Sequence, residues 1–226
     1  MDFLEYLVRK SDFTDSNTEY FNYKQPVKRP RRNKMNNNCD IRAEYTSLND
    51  NPLVSSYVVF DLETTGLSAG INAIVEIGAV KVIDNIIQSK FTTLVNPQQY
   101  IPAYLSNKIH ITNSMVADKP KINTVLPLFI NYIEDLPLIA HNAPFDMSFL
   151  LKICSNAGIK LDNPVIDTLY LSRQYLKECK KHNLAYLTDY FNISLTNAHR
   201  AYYDAKATQQ IYEIIKKRIY NLDNEI

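Results

Sequence analysis

The chain has 226 residues, 46% of them apolar, enough to bury the core of one good-sized domain and leave an appendage. The formal net charge is +1, but residues 1–42 hold nine Lys/Arg against six Asp/Glu and residues 43–226 hold sixteen against eighteen. A slightly acidic body with a basic arm is not a general polyanion binder, although it suits an enzyme that gathers acids at one site and neutralises them with metal. Cys39, Cys154 and Cys179 form no Cys-x-x-Cys pair, which argues against a structural zinc site or a disulfide framework. No apolar run approaches transmembrane length and no signal-peptide pattern is seen, so the cytoplasm is the expected location.

In chain order, residues 1–10 have Phe3, Leu4, Leu7 and Val8 on one face of a short helix too brief to be stable alone. Residues 11–51 are polar and without period, which reads as a linker, so an arm over 1–52 and a domain over 53–226 are expected. Within the arm, Lys24, Lys28, Arg29, Arg31, Arg32 and Lys34 form a basic run without an acid. It is either a solvated tether or a sequence-blind contact to a nucleic-acid backbone.

Val58, Val59 and Phe60 read as a buried strand, with a Thr64-Thr65-Gly66 turn signal downstream. Asp61 and Glu63, two apart on that strand, point the same way. Adjacent carboxylates repel, and a hard cation such as Mg²⁺ or Mn²⁺ between them removes the difficulty. The plainer alternative is a solvated strand end, and further acids must decide.

Residues 73–83 and 86–95 form β-branched segments around Asp84-Asn85, which predicts a hairpin. Short helical pieces are expected over 102–117, and a helix after Pro120 carries Ile122, Val125, Leu126, Phe129, Ile130 and Ile133 at helical spacing. A short strand over 136–140 leads through His141-Asn142-Ala143-Pro144-Phe145-Asp146 into another helix. The strand Val165–Asp167 precedes a helix over 168–176, a further helix is marked by Leu184, Leu187 and Phe191, and the last runs from Ala201 to a basic end at Lys216-Lys217-Arg218. A hairpin followed by alternating strands and helices indicates an α/β fold, a mixed sheet with helices on both faces.

Three motifs stand in order: Phe60-Asp61-Leu62-Glu63-Thr64-Thr65-Gly66; His141 to Asp146 with Phe149 and Leu150; and His199-Arg200-Ala201-Tyr202-Tyr203-Asp204-Ala205 with Thr208. From about Ser56 to Ile215, roughly 160 of the 226 residues, the chain resembles the DEDDh, or DnaQ-like, family of 3′→5′ exonucleases, which includes bacterial polymerase proofreading domains. The resemblance implies an RNase H-like five-stranded mixed sheet and two divalent metals, Mg²⁺ or Mn²⁺. It makes Asp61 the bridge between the metals, gives Glu63 and Asp204 to the nucleophile-side metal and Asp146 to the second, and makes His199 the general base. His199 stands five residues before Asp204, the spacing of the histidine branch, which leaves Tyr202 and Tyr203 as packing residues.

The resemblance also assigns Thr64, Thr65, Gly66 and Leu67 to the terminal nucleotide, with Leu67 against a base and the Thr64 and Thr65 N–H groups at the sugar. It places His141, Asn142 and Phe145 at the nucleotide pocket, although capping suits His141 and Asn142 equally. Asp167 matches a family position that supports the site without ligating metal, and reads first as a helix N-cap; His182 reads as a surface residue. Lys177, Lys180 and Lys181 are a solvated run or a phosphate contact. His110 stands where the family has glycine before Ile111-Thr112, which leaves the local backbone shape open. Some of the sixteen tyrosines are available to stack on bases.

The activity this implies is release of nucleoside 5′-monophosphates from a 3′ end, single-stranded or frayed DNA first, in proofreading or repair. A polymerase subunit is the implied partner, with the arm as tether. Two alternatives stand beside it: trimming of RNA 3′ ends, and a catalytically idle nucleic-acid-binding or polymerase-docking module.

Overall fold

The computed structural model of the chain describes residues 45–195 and 198–224. The short helix expected at 1–10, the basic run at 24–34 and Cys39 lie outside them. Five strands form one sheet in the order β3-β2-β1-β4-β5, with β1 Tyr57–Thr64, β2 Ile74–Ile83, β3 Ile86–Leu94, β4 Leu138–Ala140 and β5 Val165–Asp167. β1, β2 and β3 pair antiparallel, while β4 and β5 join parallel to β1. The mixed sheet follows from the connections: a two-residue turn can close only an antiparallel pair, whereas β4 and β5 are reached through helices. At that turn Asp84 and Asn85 both have positive φ, 49° and 65°, the backbone that matches strand twist in a tight hairpin.

The helices are α1 Ala103–Ile109, α2 Asn113–Val116, α3 Ile122–Ile133, α4 Ala143–Asn156, α5 Thr168–Tyr175, α6 Leu184–Tyr190 and α7 Ala201–Asn224. They cover both faces of the sheet, as the alternation along β1 requires. Val58, Phe60 and Leu62 pack with Leu126, Phe129 and Phe149 of α3 and α4. Tyr57 and Val59 face the opposite way, into a second core with Leu171, Leu187, Ile211, Tyr212 and Ile215 of α5, α6 and α7. Cys154 and Cys179 are buried free thiols, one in each core.

Two expectations about boundaries change. Bonding to the sheet begins before Leu53: the Val165 N–H donates to Thr46 O and the Leu48 N–H to Val165 O, each at 2.8 Å, and Ser47 bridges Val165 in parallel. β5 is an edge strand, and these residues satisfy its outer backbone groups. The last helix runs beyond Lys216-Lys217-Arg218 instead of ending there. Lys216 is buried against Glu213 and Asn85, at 3.1 and 2.7 Å, and Arg218 pairs with Glu178 at 2.7 Å. These cations serve side-chain partners in mid-helix, not the helix terminus. Among the described residues no helix is long and apolar enough to cross a membrane.

Candidate active site

Asp61 and Glu63 continue the face of β1 on which Tyr57 and Val59 lie, the face covered by α7. Both are half-buried. The neighbouring acids arrive by two routes. β4 lies parallel to β1, with Val59 opposite Ile139, so the helix that starts straight after β4 brings its first turn to the end of β1. There Asp146 is buried, and its Oδ1 accepts the Leu62 N–H at 3.0 Å, midway between Asp61 and Glu63 in the chain. From the other direction α7 delivers Asp204, also buried, whose Oδ2 accepts the His199 N–H at 3.0 Å. One donor atom from each of Glu63, His199 and Asp204 lies within 4.8 Å of the other two.

The approach of α7 depends on two residues that motif spacing did not single out as functional. A Cβ on Gly78 would sit 2.0 Å from Tyr202 N and 2.1 Å from Ala201 C, so only glycine lets the start of the helix lie this close to β2. Glu76, on the same strand and almost wholly buried, stands opposite Glu63 across the β1–β2 ladder. Like charges facing across strands destabilise, and a buried carboxylate needs a partner. Arg200 provides it, its Nε–H donating to Oε2 at 3.1 Å and its Nη2 to Oε1 at 2.9 Å. The Ala201 N–H donates to Oε2 at 3.0 Å, so Glu76 caps α7 from a neighbouring strand. His199 is held just ahead of this clamp with φ +62°. The sequence signal was a lone acid in the apolar run Ile74–Ile83, with an arginine beside the motif histidine.

Burial followed by repulsion from Asp146, Glu63 and Asp204 drives the Asp61 pKa well above the usual carboxylate range. Burial, with Asp204 and Glu76 adding, pushes Glu63 up to about 8 despite the opposing charge of Lys108. Burial takes Asp146 to about 8 against the lowering hydrogen bond from Leu62, and Asp204 to about 6. Such crowding fits a divalent cation: the donors are mostly carboxylate oxygens, and Arg200 is committed to Glu76. Partial burial, and then the charges of Lys108 and His110, lower the His199 imidazole pKa, which favours the unprotonated form that a base requires.

The other predicted residues divide. Leu67 is exposed beyond the end of β1. The Thr65 N–H, expected at a sugar, instead donates to Ala73 O at 2.8 Å, and its hydroxyl bonds Gln99 and accepts the Ala73 N–H. The Thr64 hydroxyl donates to Gly66 O at 2.6 Å. A Cβ on Gly66 would meet the Asn72 side chain at 2.6 Å, so this glycine makes room for a neighbour within the loop. His141 is engaged at both nitrogens. Its Nε2 lies 2.8 Å from His182 O, a carbonyl that can only accept, so Nε2 carries the proton and Nδ1 faces the Thr168 hydroxyl at 3.0 Å.

Asn142 has φ +69° at the head of α4, and its N–H donates to Asp167 Oδ1 at 3.0 Å. Asp167 also accepts the Leu169 N–H, the N-cap expected of it. Phe145 is half-buried, its ring 5.3 Å from that of Phe149. His182 is half-buried, with Nδ1 3.1 Å from the Ser172 hydroxyl. His110 ends α1 with φ +56°, the left-handed conformation that glycine adopts without strain. Tyr202 lies under the Lys90 ammonium and edge-on to Tyr203, which agrees with packing roles.

Five strands in this order, with four acids gathered at the end of the central strand, define a nuclease hydrolase of RNase H-like architecture. The chain belongs to the exonuclease family, whose model matches residues 58–212, and to the DEDDh 3′→5′ exonucleases that the three motifs resemble. It is 43% identical over 160 residues to the PolC-type DNA polymerase III of Caldanaerobacter subterraneus subsp. tengcongensis, and 43% over 163 residues to that of Clostridium perfringens. These matches cover 71% and 72% of this chain and span 11% of each polymerase. Among solved structures, Exonuclease X in complex with 5′ overhanging duplex DNA is 31% identical with a TM-score of 0.59, covering 71% of this chain and 90% of that one. E. coli Exonuclease I in complex with a dT13 oligonucleotide shares the fold at 18% identity and a TM-score of 0.65, covering 76% of this chain and 43% of that one.

Proposed function

We propose that the chain removes nucleotides one at a time from the 3′ end of DNA, single-stranded or frayed, and releases nucleoside 5′-monophosphates. The observation that carries this reading is the meeting of Asp61, Glu63, Asp146 and Asp204, from three separated segments, beside His199. In this reading Asp61 would be shared by two Mg²⁺ or Mn²⁺ ions, Glu63 and Asp204 would hold one, and Asp146 the other. When bound, such ions neutralise charge at the scissile phosphate and acidify a water. His199, whose backbone N–H is bonded to Asp204, would accept the proton of the attacking water. Gly66 and Leu67 receive the terminal nucleotide, and Asn142 and Phe145 border its pocket. His141 supports that pocket from behind through His182 and Thr168.

DNA is favoured over RNA by the 43% identity to DNA polymerases and by the relative solved with duplex DNA. The same relatives make a DNA polymerase subunit the natural partner, with the basic arm as the contact. A pull-down with residues 1–44 deleted, which spares the Thr46 bond to β5, loses the polymerase if so and keeps it if not.

The test is a time course on 5′-labelled DNA and RNA oligonucleotides of one sequence with Mg²⁺, Mn²⁺ or EDTA, with products identified. A shortening ladder on DNA, stopped by EDTA and releasing 5′-mononucleotides, is expected. Faster loss of RNA would move the substrate assignment, and oligonucleotide binding without cleavage would replace the enzyme with an idle binding module.

A further inference from the structure

Among the described residues, four large apolar side chains stand almost free in solvent: Leu67 at 86% exposure, Ile71 at 75%, Tyr104 at 74% and Tyr100 at 71%. They come from two segments only. Leu67 and Ile71 lie on the loop after β1, and Tyr100 and Tyr104 on the run that enters α1. Gln99 joins the two, bonding the Thr65 hydroxyl and donating to Ile71 O at 3.0 Å, so Tyr100 follows directly after the residue that bridges the loops. Tyr104 precedes Lys108 by one helical turn on the same face of α1. The Lys108 ammonium acts on both Glu63 and His199, which places this face beside the acid cluster. Both segments lack acids: no Asp or Glu occurs at 64–75 or at 85–117, in a chain that has 24 of them.

Exposed rings and aliphatic groups on acid-free backbone, next to a lysine that acts on the acid cluster, match the needs of unpaired bases on a polyanionic strand. Leu67 is already given to the terminal base. Resting on the exonuclease reading above, we propose that Ile71, Tyr100 and Tyr104 form a second platform that stacks the bases upstream of the terminal nucleotide, making the preferred substrate a single strand several nucleotides long.

The full chain is assayed on an eight-residue thymidine oligonucleotide and on the p-nitrophenyl ester of thymidine 5′-monophosphate, which has one base and cannot reach the platform. The quantity read is the ratio of kcat/KM on the oligonucleotide to kcat/KM on the ester. In Tyr100→Ala/Tyr104→Ala this ratio falls at least about tenfold, within the range for loss of base stacking. Tyr100→Phe/Tyr104→Phe retains the ratio, since stacking needs the ring and not the hydroxyl. Tyr170→Ala, which removes an exposed tyrosine of α5, retains it too.

An unchanged ratio in the double alanine variant overturns the platform. So does an equal loss in the phenylalanine variant, or an unchanged ratio with lost self-association in sedimentation, which would give the patch to a second copy of the chain. Wild-type protein that hydrolyses neither substrate with metal overturns the exonuclease reading itself, a result distinct from the others.

Discussion

Glu76 shows how one buried acid can organise a site without belonging to the set of residues proposed to hold metal. Its carboxylate binds the Arg200 guanidinium and the Ala201 N–H together, and so fixes the backbone between His199 and Asp204. Glu76→Gln keeps the shape and loses the charge. It should lower kcat by about tenfold or more through displacement of His199, a positioning effect of about 1.4 kcal/mol, while divalent-ion affinity changes less. Equal losses in kcat and metal affinity would instead mean that the helix start had come apart. Glu76→Ala leaves Arg200 without its buried partner and should destabilise the fold by about 3 kcal/mol in urea titration. His199→Ala should reduce turnover at least about a hundredfold while metal still binds. Among single residues the sequence was most readable where chemistry repeats a motif and least where a contact joins distant segments: Asp61, Glu63, Asp146, His199 and Asp204 could be named, but the Glu76–Arg200 pair, 124 positions apart, could not.

At the scale of elements, the decisive contact is α7 against β2 at Gly78. A methyl group there would overlap backbone atoms at 2.0 to 2.5 Å, and backbone cannot step aside as a flexible side chain can. Gly78→Ala should cost more than about 3 kcal/mol, or displace α7 and with it Asp204, and loss of metal affinity alongside a lower Tm would show both. A Tm within a degree of wild type would contradict the packing described. The hairpin was legible because Asp84-Asn85 sits between β-branched runs, and the cores because apolar spacing switches from alternate residues to helical turns. The C-terminal extent of α7 was not. A basic cluster reads as a helix end, and only the structure shows Lys216 turned onto Asn85 and Glu213. The pairing of Thr46 and Leu48 with Val165 was equally hidden, since a polar stretch gives no sign that it will close a sheet edge.

For the whole molecule, the crowded acids link stability to pH and metal. Glu63 and Asp146 titrate near 8 in the folded chain and near 4 in the unfolded one, so over that interval the folded state holds more protons. Its stability therefore falls as pH rises from about 4 to about 8, opposite in sign to a salt-bridged carboxylate. Metal-free protein should lose Tm between pH 5 and pH 8, and Mn²⁺ should restore it with an effect that grows with pH. A Tm that rises over this range without metal would contradict the crowding.

In the proposed function, acids from β1, α4 and α7 form one hydrolytic centre. Its most direct test is degradation of a 5′-labelled single-stranded DNA oligonucleotide with Mg²⁺ by wild-type, Asp61→Ala and Asp204→Ala proteins, each shown by circular dichroism to be folded. Wild type should yield a ladder shortening from the 3′ end while both variants leave the strand intact. A folded Asp61→Ala protein that degrades the strand at the wild-type rate would place the chemistry elsewhere.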